Sequence, residues 1–399
     1  MSGRERRRQV ALVYPLAVPW MTTYVRAIMD YADRHGGWSI TTSPPSLIGA
    51  GEEALALQDL CDWKGDGAIV ALLNDTDVEW ANRLDFPVLN TASTLQETGI
   101  PRVRPDHYLM GRLAAEHLLA RGMRRLAYYG LDGYWFNELR YRGFADCAEE
   151  ANATCSALNV PRGCTNLQQR IDSLVRWLKH LRPPVGILGV QDYRARVVIE
   201  QCQQRGLRIP HDVAVVGMED DPTLCEFTQP TLSSVSRDPW RMGTTSAEML
   251  DRLMNGLDVP IDALVKPDGV VSRQSTDTIA VEDRHLADAL HFIHDHMDEA
   301  YGIDRVVRAT AISRRQLETR FRNVLGCSPH DYLCRKRVER AKRFLATPDR
   351  IKFHKVANAC GFPNAERMRL VFKRVTGMTP LEYRKTQQHK KAPASTGSD

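Results

Sequence analysis

Two stretches near the C-terminus set hydrogen-bonding side chains opposite an apolar stripe. In the first, Leu317, Phe321 and Val324 recur at helical spacing, so that Arg314, Arg315, Glu318, Thr319 and Arg322 fall away from the apolar face. In the second, Phe372 marks the apolar side, and Ala365, Glu366, Arg367, Arg369 and Lys373 fall away from it. The chemistry these side chains suit is the reading of nucleic acid. Arg315, Arg367 and Arg369 can fork onto guanine, and Glu318 or Glu366 can accept from cytosine N4. Arg322, Lys373 and Arg374 are suited to phosphates, although a solvated surface charge is the competing reading for any single arginine. A different chemistry is offered further upstream, where carboxylates, amides, arginine and aromatic rings stand at the ends of apolar runs. Polyols need such planar hydrogen-bonding groups around their rim and an aromatic plate under their apolar face, so a sugar fits this set.

Elements must place these groups. From Gln9 to about Val271 short apolar runs (Val10–Tyr14, Gly67–Leu73, Phe86–Asn90, Arg125–Gly130, Val185–Val190, Val213–Gly217) alternate with amphipathic stretches (Thr23–His35, Tyr108–Arg121, Arg140–Ala151, Leu167–Leu181, Tyr193–Arg205, Arg241–Asn255). The alternation predicts buried parallel strands covered by helices, and the strand number fits two sheets in two lobes better than one. Ligands of such folds lie beyond the carboxyl ends of the strands. Beyond a polar, aperiodic stretch at Ser272–Asp283, the pattern becomes all helical. A short helix over Asp304–Ala309, a break at Ala311-Ile312-Ser313 and a helix capped by Ser313 form a helix-turn-helix. Ser328-Pro329 then opens a helix to about Ala346, roughly 28 Å long. A second copy follows: Lys352–Cys360, a turn at Gly361-Phe362, and a helix from Asn364 to about Thr376. Gly326-Cys327-Ser328-Pro329 is answered by Gly377-Met378-Thr379-Pro380.

At 399 residues, the chain is long for one core and predicts two or three domains. The boundaries expected are a basic tail at 1–8, a two-lobed α/β domain at 9–275, a linker at 276–284, an all-α domain at 285–386 with its helix-turn-helix units at about 304–325 and 352–376, and a disordered tail at 387–399. The net charge of +5 divides unequally, since residues 281–399 carry 24 Lys and Arg against 14 Asp and Glu and the remainder is net acidic. A basic C-terminal half beside an acidic front predicts a polyanionic partner for the former.

Several function classes lose support. P-loop, G-x-S-x-G and strand-associated G-x-G-x-x-G signatures are missing. The nine cysteines form no C-x-x-C pair, which predicts neither disulfides nor a zinc site and favours a reducing cytoplasm. His291, His294 and His296 point to different faces or sit by acidic neighbours and read as surface histidines, so no metal and no cofactor are expected. No apolar run reaches a membrane span, and the N-terminus shows no secretory pattern.

The helical region resembles the AraC/XylS family of transcription regulators over about 285–385. The resemblance is carried by Ser313, Leu317, Phe321, Gly326-x-Ser328-Pro329, Tyr332, Arg337-x-x-x-Ala341, Ile351, Val356-Ala357, Gly361-Phe362, Phe372-Lys373 and Gly377-x-Thr379-Pro380-x-x-Tyr383-Arg384. It implies two reading helices, which must stand about 34 Å apart to enter successive major-groove turns. Over about 9–275 the chain resembles the effector domains of lac-repressor-type regulators and the periplasmic sugar-binding proteins, through Asp106-x-x-x-x-Gly111, Leu119-x-Arg121-Gly122, Val213-Ala-Val-Val-Gly-Met-Glu-Asp-Asp, Gln229-Pro-Thr-Leu-Ser-Ser-Val and Met242-Gly243. The combination, with Tyr129-Gly130 and Asp192-x-Arg194-Ala195-Arg196, looks like the regulators of xylose operons.

What the resemblance implies is a periplasmic-binding-protein-like (type I) sensor followed by a double helix-turn-helix. It would be a dimeric, cytoplasmic DNA-binding activator answering to D-xylose or a related pentose, with RNA polymerase as a further partner, and not an enzyme. Carried over by position, the effector meets Asp106, Arg140, Gln191, Asp192 and Glu219, with Trp20 and Trp135 as aromatic candidates. Aspartate is usual where Glu219 stands. Asp106 and Asp192 each precede a helical stretch, so a helix cap competes with ligand contact for both, and core packing competes for the two tryptophans. A regulator answering to another ligand or a protein partner, and a sugar-processing enzyme fused to a DNA-binding tail, are the alternative readings.

Overall fold

The apolar runs of the front half become strands buried on both faces, which is why they read as continuous rather than alternating. The computed structural model describes residues 7–14, 19–42, 55–277, 281, 283–346 and 351–391. The chain divides into two compact units, Met1–Ala280 and Val281–Asp399. The first unit begins with β1 (Arg8–Val13), α1 (Pro19–Arg34), β2 (Trp38–Thr42), β3 (Gly67–Val70), α2 (Asp75–Ala81), β4 (Val88–Asn90) and β5 (Arg102–Pro105). It crosses to a second lobe made of α3 (His107–Leu119), β6 (Arg125–Leu131), α4 (Trp135–Glu150), β7 (Thr154–Val160), α5 (Leu167–Leu178), β8 (Val185–Gly189), α6 (Asp192–Gln203), β9 (Val213–Glu219), α7 (Pro222–Phe227) and β10 (Ser233–Ser236). It returns for α8 (Pro239–Met254) and β11 (Asp262–Val265), then crosses once more to β12 (Gly269–Val271). The two sheets run β11-β5-β4-β3-β1-β2 and β12-β10-β9-β8-β6-β7. Their strands are parallel except β12, which pairs antiparallel with β10. The fold is the two-lobed α/β architecture the alternation predicts.

Six strands escape the sequence pattern. β5 reads Arg-Val-Arg-Pro and β10 reads Ser-Ser-Val-Ser, and neither carries the apolar run that marks a buried strand. β7 is an edge strand with exposed positions along it, while β2, β11 and β12 are short and partly exposed. Helix α4 starts at Trp135 rather than Arg140, which adds a first turn carrying Trp135 and Phe136. The linker expected from residue 276 also starts later. Ser275 and Thr276 are fully buried, with Ser275 donating to the carbonyl of Val215 and Thr276 bonded to Ser233 and His117. Arg8, expected in a basic tail, begins β1 and pairs with Asp251 at 2.9 Å.

Helices α3 and α4 cross with their backbones in contact. A Cβ on Gly111 would stand 2.1 Å from the carbonyl oxygen of Arg140, and one on Gly143 would stand 2.0 Å from that of Tyr108. This close approach brings the start of α3 alongside Arg140.

The second unit is α9 (Arg284–Asp295), α10 (Ile303–Ala309), α11 (Arg314–Leu325), α12 (Pro329–Ala346), α13 (Phe353–Ala359), α14 (Ala365–Thr376) and α15 (Pro380–Lys391). Its start and stop signals are local. Ser313 and Gln316 form a reciprocal capping box, Asn364 caps α14 through the Arg367 N–H, and Gly326 and Gly377 end α11 and α14 in the left-handed conformation. The repeat is visible in the packing: Phe321 meets Tyr332 edge-on at 5.7 Å, and Phe372 meets Tyr383 at 5.6 Å. Helix α12 serves both copies. Leu333 belongs to the core of α9, α10 and α11, and its neighbour Cys334, with Val338 and Ala341, to the core of α13 and α14. The disordered tail expected from residue 387 is corrected in part, because Thr379 and Glu382 cap a helix that continues to Lys391; residues 392–399 lie outside the described residues. His291, expected at the surface, is buried on α9, and His296 bonds Glu299 at 2.6 Å.

Candidate effector site and nucleic-acid interface

In the first unit, strand ends of both lobes face a cavity of about 270 Å³ lined by Tyr14, Trp20, Met21, Thr91, Ser93, Thr94, His107, Phe136, Arg140, Gln191, Glu219 and Arg237 among others. Its floor is polar and buried. Arg140, 1% exposed, donates from Nε to His107 Nδ1 at 3.2 Å, from one Nη to the Val190 carbonyl at the end of β8, and from the other to Glu219 at 3.5 Å. Glu219 ends β9 with φ of 105°, a backbone conformation that costs an L-residue energy and is tolerated where the surroundings hold it. Arg140 and Arg237 provide that hold, both donating to the same carboxylate oxygen. Arg237 lies in the crossover from β10 to α8 and stacks on Trp20 with its guanidinium carbon 4.2 Å from the ring centroid. His107 lies at the crossover from β5 to α3. Burial, then the charges of Arg140, Arg237 and Arg104, hold its pKa well below the usual 6.5. The imidazole is therefore neutral, and because Nδ1 accepts from Arg140, Nε2 carries the proton.

The residues expected at the effector separate into two groups. Trp20, Arg140, Gln191 and Glu219 line the cavity. Asp106 caps α3 by accepting from the Leu109 N–H at 2.9 Å and is not part of the lining. Asp192 turns beneath the strand ends, where it accepts from the Asp221 N–H at 2.8 Å and the Ser234 hydroxyl at 2.5 Å. Burial pushes its carboxyl up to about 7 against those two hydrogen bonds. Trp135 lies between Arg102 and Arg104, 4.8 and 4.4 Å from its ring centroid. Phe136 takes the place at the cavity, since it is four residues before Arg140 and shares its helix face, whereas Trp135 is rotated away.

Among the cavity residues the sequence did not single out are His107, Phe136 and Arg237. His107 directly follows the recognised Asp106, and Arg237 stands two residues past Leu232-Ser-Ser-Val. The loop after β4 also reaches across to the other lobe: the carbonyls of Ser93 and Thr94 accept from the N–H groups of Phe136 and Trp135, satisfying the start of α4, which has no side-chain cap.

In the second unit, Arg314, Arg315, Thr319 and Arg322 are exposed on α11, with Glu318 half-buried, and Glu366, Arg367, Arg369 and Lys373 are exposed on α14, with Ala365 half-buried. Leu317, Phe321, Met368 and Phe372 hold the opposite faces in the core. Several outward groups pair with each other. Arg369 forks onto Glu366 at 2.7 and 3.0 Å, and Arg314 meets Glu318 at 3.3 Å and Asp304 at 3.1 Å. Such exposed pairs are weak and exchange readily for other partners.

A family model described as a helix-turn-helix domain matches residues 306–386, and one described as a periplasmic binding protein-like domain matches residues 115–276. The xylose operon regulatory protein of Escherichia coli (strain K12) is 30% identical over 333 residues, covering 81% of this chain and 84% of that protein. The chain belongs to the family of xylose operon regulatory proteins. The regulator is 28% identical to the Haemophilus influenzae protein of the same name over 331 residues, covering 80% of this chain and 84% of that one. Its fold matches the solved structure of a xylose-binding transcription activator, XylR, with TM-score 0.76 at 24% identity over 96% of this chain and 99% of the other. The sensor fold alone also matches a LacI family regulator from Enterococcus faecium with bound ribose, at TM-score 0.54 and 20% identity, covering 69% of this chain and 100% of that one. The molecule is thus a DNA-binding transcription regulator with an AraC-type output unit on a periplasmic-binding-protein-like unit.

Proposed function

We propose that this regulator binds a pentose, D-xylose or a close chemical relative, between the lobes of its first unit, and that occupancy alters the grip of its second unit on an operator. The observation that carries the reading is the cavity: a small pocket with Arg140, Gln191, Glu219 and His107 as hydrogen-bonding groups and Trp20 and Phe136 as aromatic plates, the furniture a polyol requires. Asp106, Asp192 and Trp135 then support the site from behind, as a helix cap, a strand-end brace and a rest for Arg102 and Arg104.

On DNA, Arg315, Arg367, Arg369, Glu318 and Glu366 read base edges. Arg314, Thr319, Arg322 and Lys373 hold the backbone, and Ala365 lets α14 approach the groove closely. The regulator works as a homodimer in the cytoplasm and activates transcription, with two major-groove contacts per subunit and RNA polymerase as the downstream partner. No helix of the described residues is long and apolar enough to cross a membrane. Because the chain is a transcription regulator, we also propose that its bound sugar is released unchanged.

The test is calorimetric titration of the full chain with a pentose series, neutral and oxidised, followed by operator binding with and without each ligand. Binding by at least one pentose, with a shift in operator affinity, is expected. If no member of the series binds or shifts the operator complex, the reading is wrong.

A further inference from the structure

Charge does not balance in the cavity. Two guanidinium groups, those of Arg140 and Arg237, are 1% and 7% exposed, and both donate to one oxygen of Glu219. Among the described residues no other carboxylate lines the space. The nearby acidic side chains are committed elsewhere: Asp192 to the Asp221 N–H and the Ser234 hydroxyl, Asp106 to the Leu109 N–H, and Asp262 to Arg104 at 2.7 Å. Among the lining side chains two guanidinium groups therefore face one carboxylate, and Asp192, which also acts on Arg237, is only a partial counter-charge because burial pushes its carboxyl up to about 7.

Hydrogen-bond donors are in excess as well. The Nε–H of Arg237 and the Nε2 of His107 are both buried without a hydrogen-bond partner, although each side chain lines the cavity. Buried donors left unmatched and a buried cation left uncompensated are both costly, so a site built this way is completed by what enters it. A hydroxyl group can accept from either donor but leaves the charge standing. A carboxylate meets both demands, since its two oxygens accept from separate donors and its charge offsets the guanidinium.

We propose that the effector is an acidic sugar, an aldonate or uronate, whose carboxylate is held by Arg237 and His107 while Glu219 and Gln191 take its hydroxyls. The proposal rests on the pentose-type reading above and narrows its chemistry. Both donors lie on crossovers between the lobes, so the carboxylate sits at the hinge while the carbon chain extends toward Trp20 and Phe136. Burial is the main cause of the low pKa of His107, and the charges of Arg140, Arg237 and Arg104 add to it in the same direction, which marks this end of the cavity as positive.

The experiment is calorimetric titration of the full-length protein with D-xylose, D-xylonate and D-glucuronate at one salt concentration, repeated on Arg237→Gln, which keeps hydrogen-bonding capacity and removes the charge. At least one acid is expected to bind about tenfold or more tighter than D-xylose, and the preference to fall below about threefold in the variant. If D-xylose binds as tightly as both acids or tighter, the acidic-sugar proposal is overturned while the pentose reading stands. Failure of all three ligands to bind overturns the acidic-sugar proposal and leaves the pentose reading to the wider pentose series. An unfolded Arg237→Gln leaves the wild-type comparison to decide.

Discussion

At the scale of single residues, charge and hydrogen bonding assign different work to similar side chains. Arg369 and Lys373 are both exposed on α14, but Arg369 is held in a planar fork by Glu366, a geometry transferable to guanine, whereas Lys373 is a point charge. Arg369→Ala should weaken the specific operator by about 1–3 kcal/mol and barely affect random DNA. Lys373→Ala should weaken both alike and reduce the salt slope by about one ion. Equal losses on both DNAs for Arg369→Ala, measured by anisotropy, would remove it from base reading.

His117 offers a second test. Burial, then Arg121, lower its pKa from 6.5 to about 3, so the unfolded chain takes up a proton below about pH 6.5 that the folded chain refuses. Its contribution is therefore present above pH 6.5 and is lost as pH falls, at no more than about 1.4 kcal/mol per pH unit. Denaturant unfolding at pH 7 and pH 5 should show a smaller acid loss for His117→Gln than for the wild type; an unchanged slope would place the protonation elsewhere.

At the scale of elements, legibility followed local signals. The helices of the second unit announce themselves through Ser313, Asn364, Gly326, Gly377, Pro329 and Pro380, each acting within one turn of its own chain. Strands β5 and β10 do not, because their place in a sheet is set by partners far away in sequence: β5 lies between β4 and β11, and β10 between β9 and β12. The site inherits that difference. Arg140, Gln191 and Glu219 stand by recognisable strands and helices, while His107 and Arg237 sit on crossovers beside those two polar strands, and Phe136 lies in a first turn that precedes the amphipathic stretch Arg140–Ala151.

The two helix-turn-helix turns give a paired prediction. Ala311 adopts φ of 52° where the second copy has Gly361 at 69°, and only glycine takes that conformation freely. Ala311→Gly should stabilise the protein by about 1 kcal/mol. Gly361→Ala should cost more than that amount, because its Cβ would also stand 2.5 Å from the Glu299 carbonyl oxygen and 2.7 Å from that of Met297. Thermal unfolding of the two variants checks both signs, and a destabilised Ala311→Gly would contradict the strain argument.

At the scale of the whole molecule, the chain joins an acidic front unit to a basic, helical one, and family membership makes the pair a regulator. Coupling between them is a free-energy statement: the effector changes operator affinity only by its preference for one of two states, and the operator changes effector affinity by the same factor. The cavity is bounded by two of the three crossovers between lobes, through His107 and Arg237, so a ligand there acts on the connections that set how the lobes meet. The most direct measurement is the operator dissociation constant of the full chain with the cavity empty and with it saturated, under conditions where calorimetry has established occupancy. The account predicts a change of about fivefold or more, matched by an equal change in effector affinity on the operator complex. An operator constant that stays the same while the cavity is demonstrably filled would contradict it.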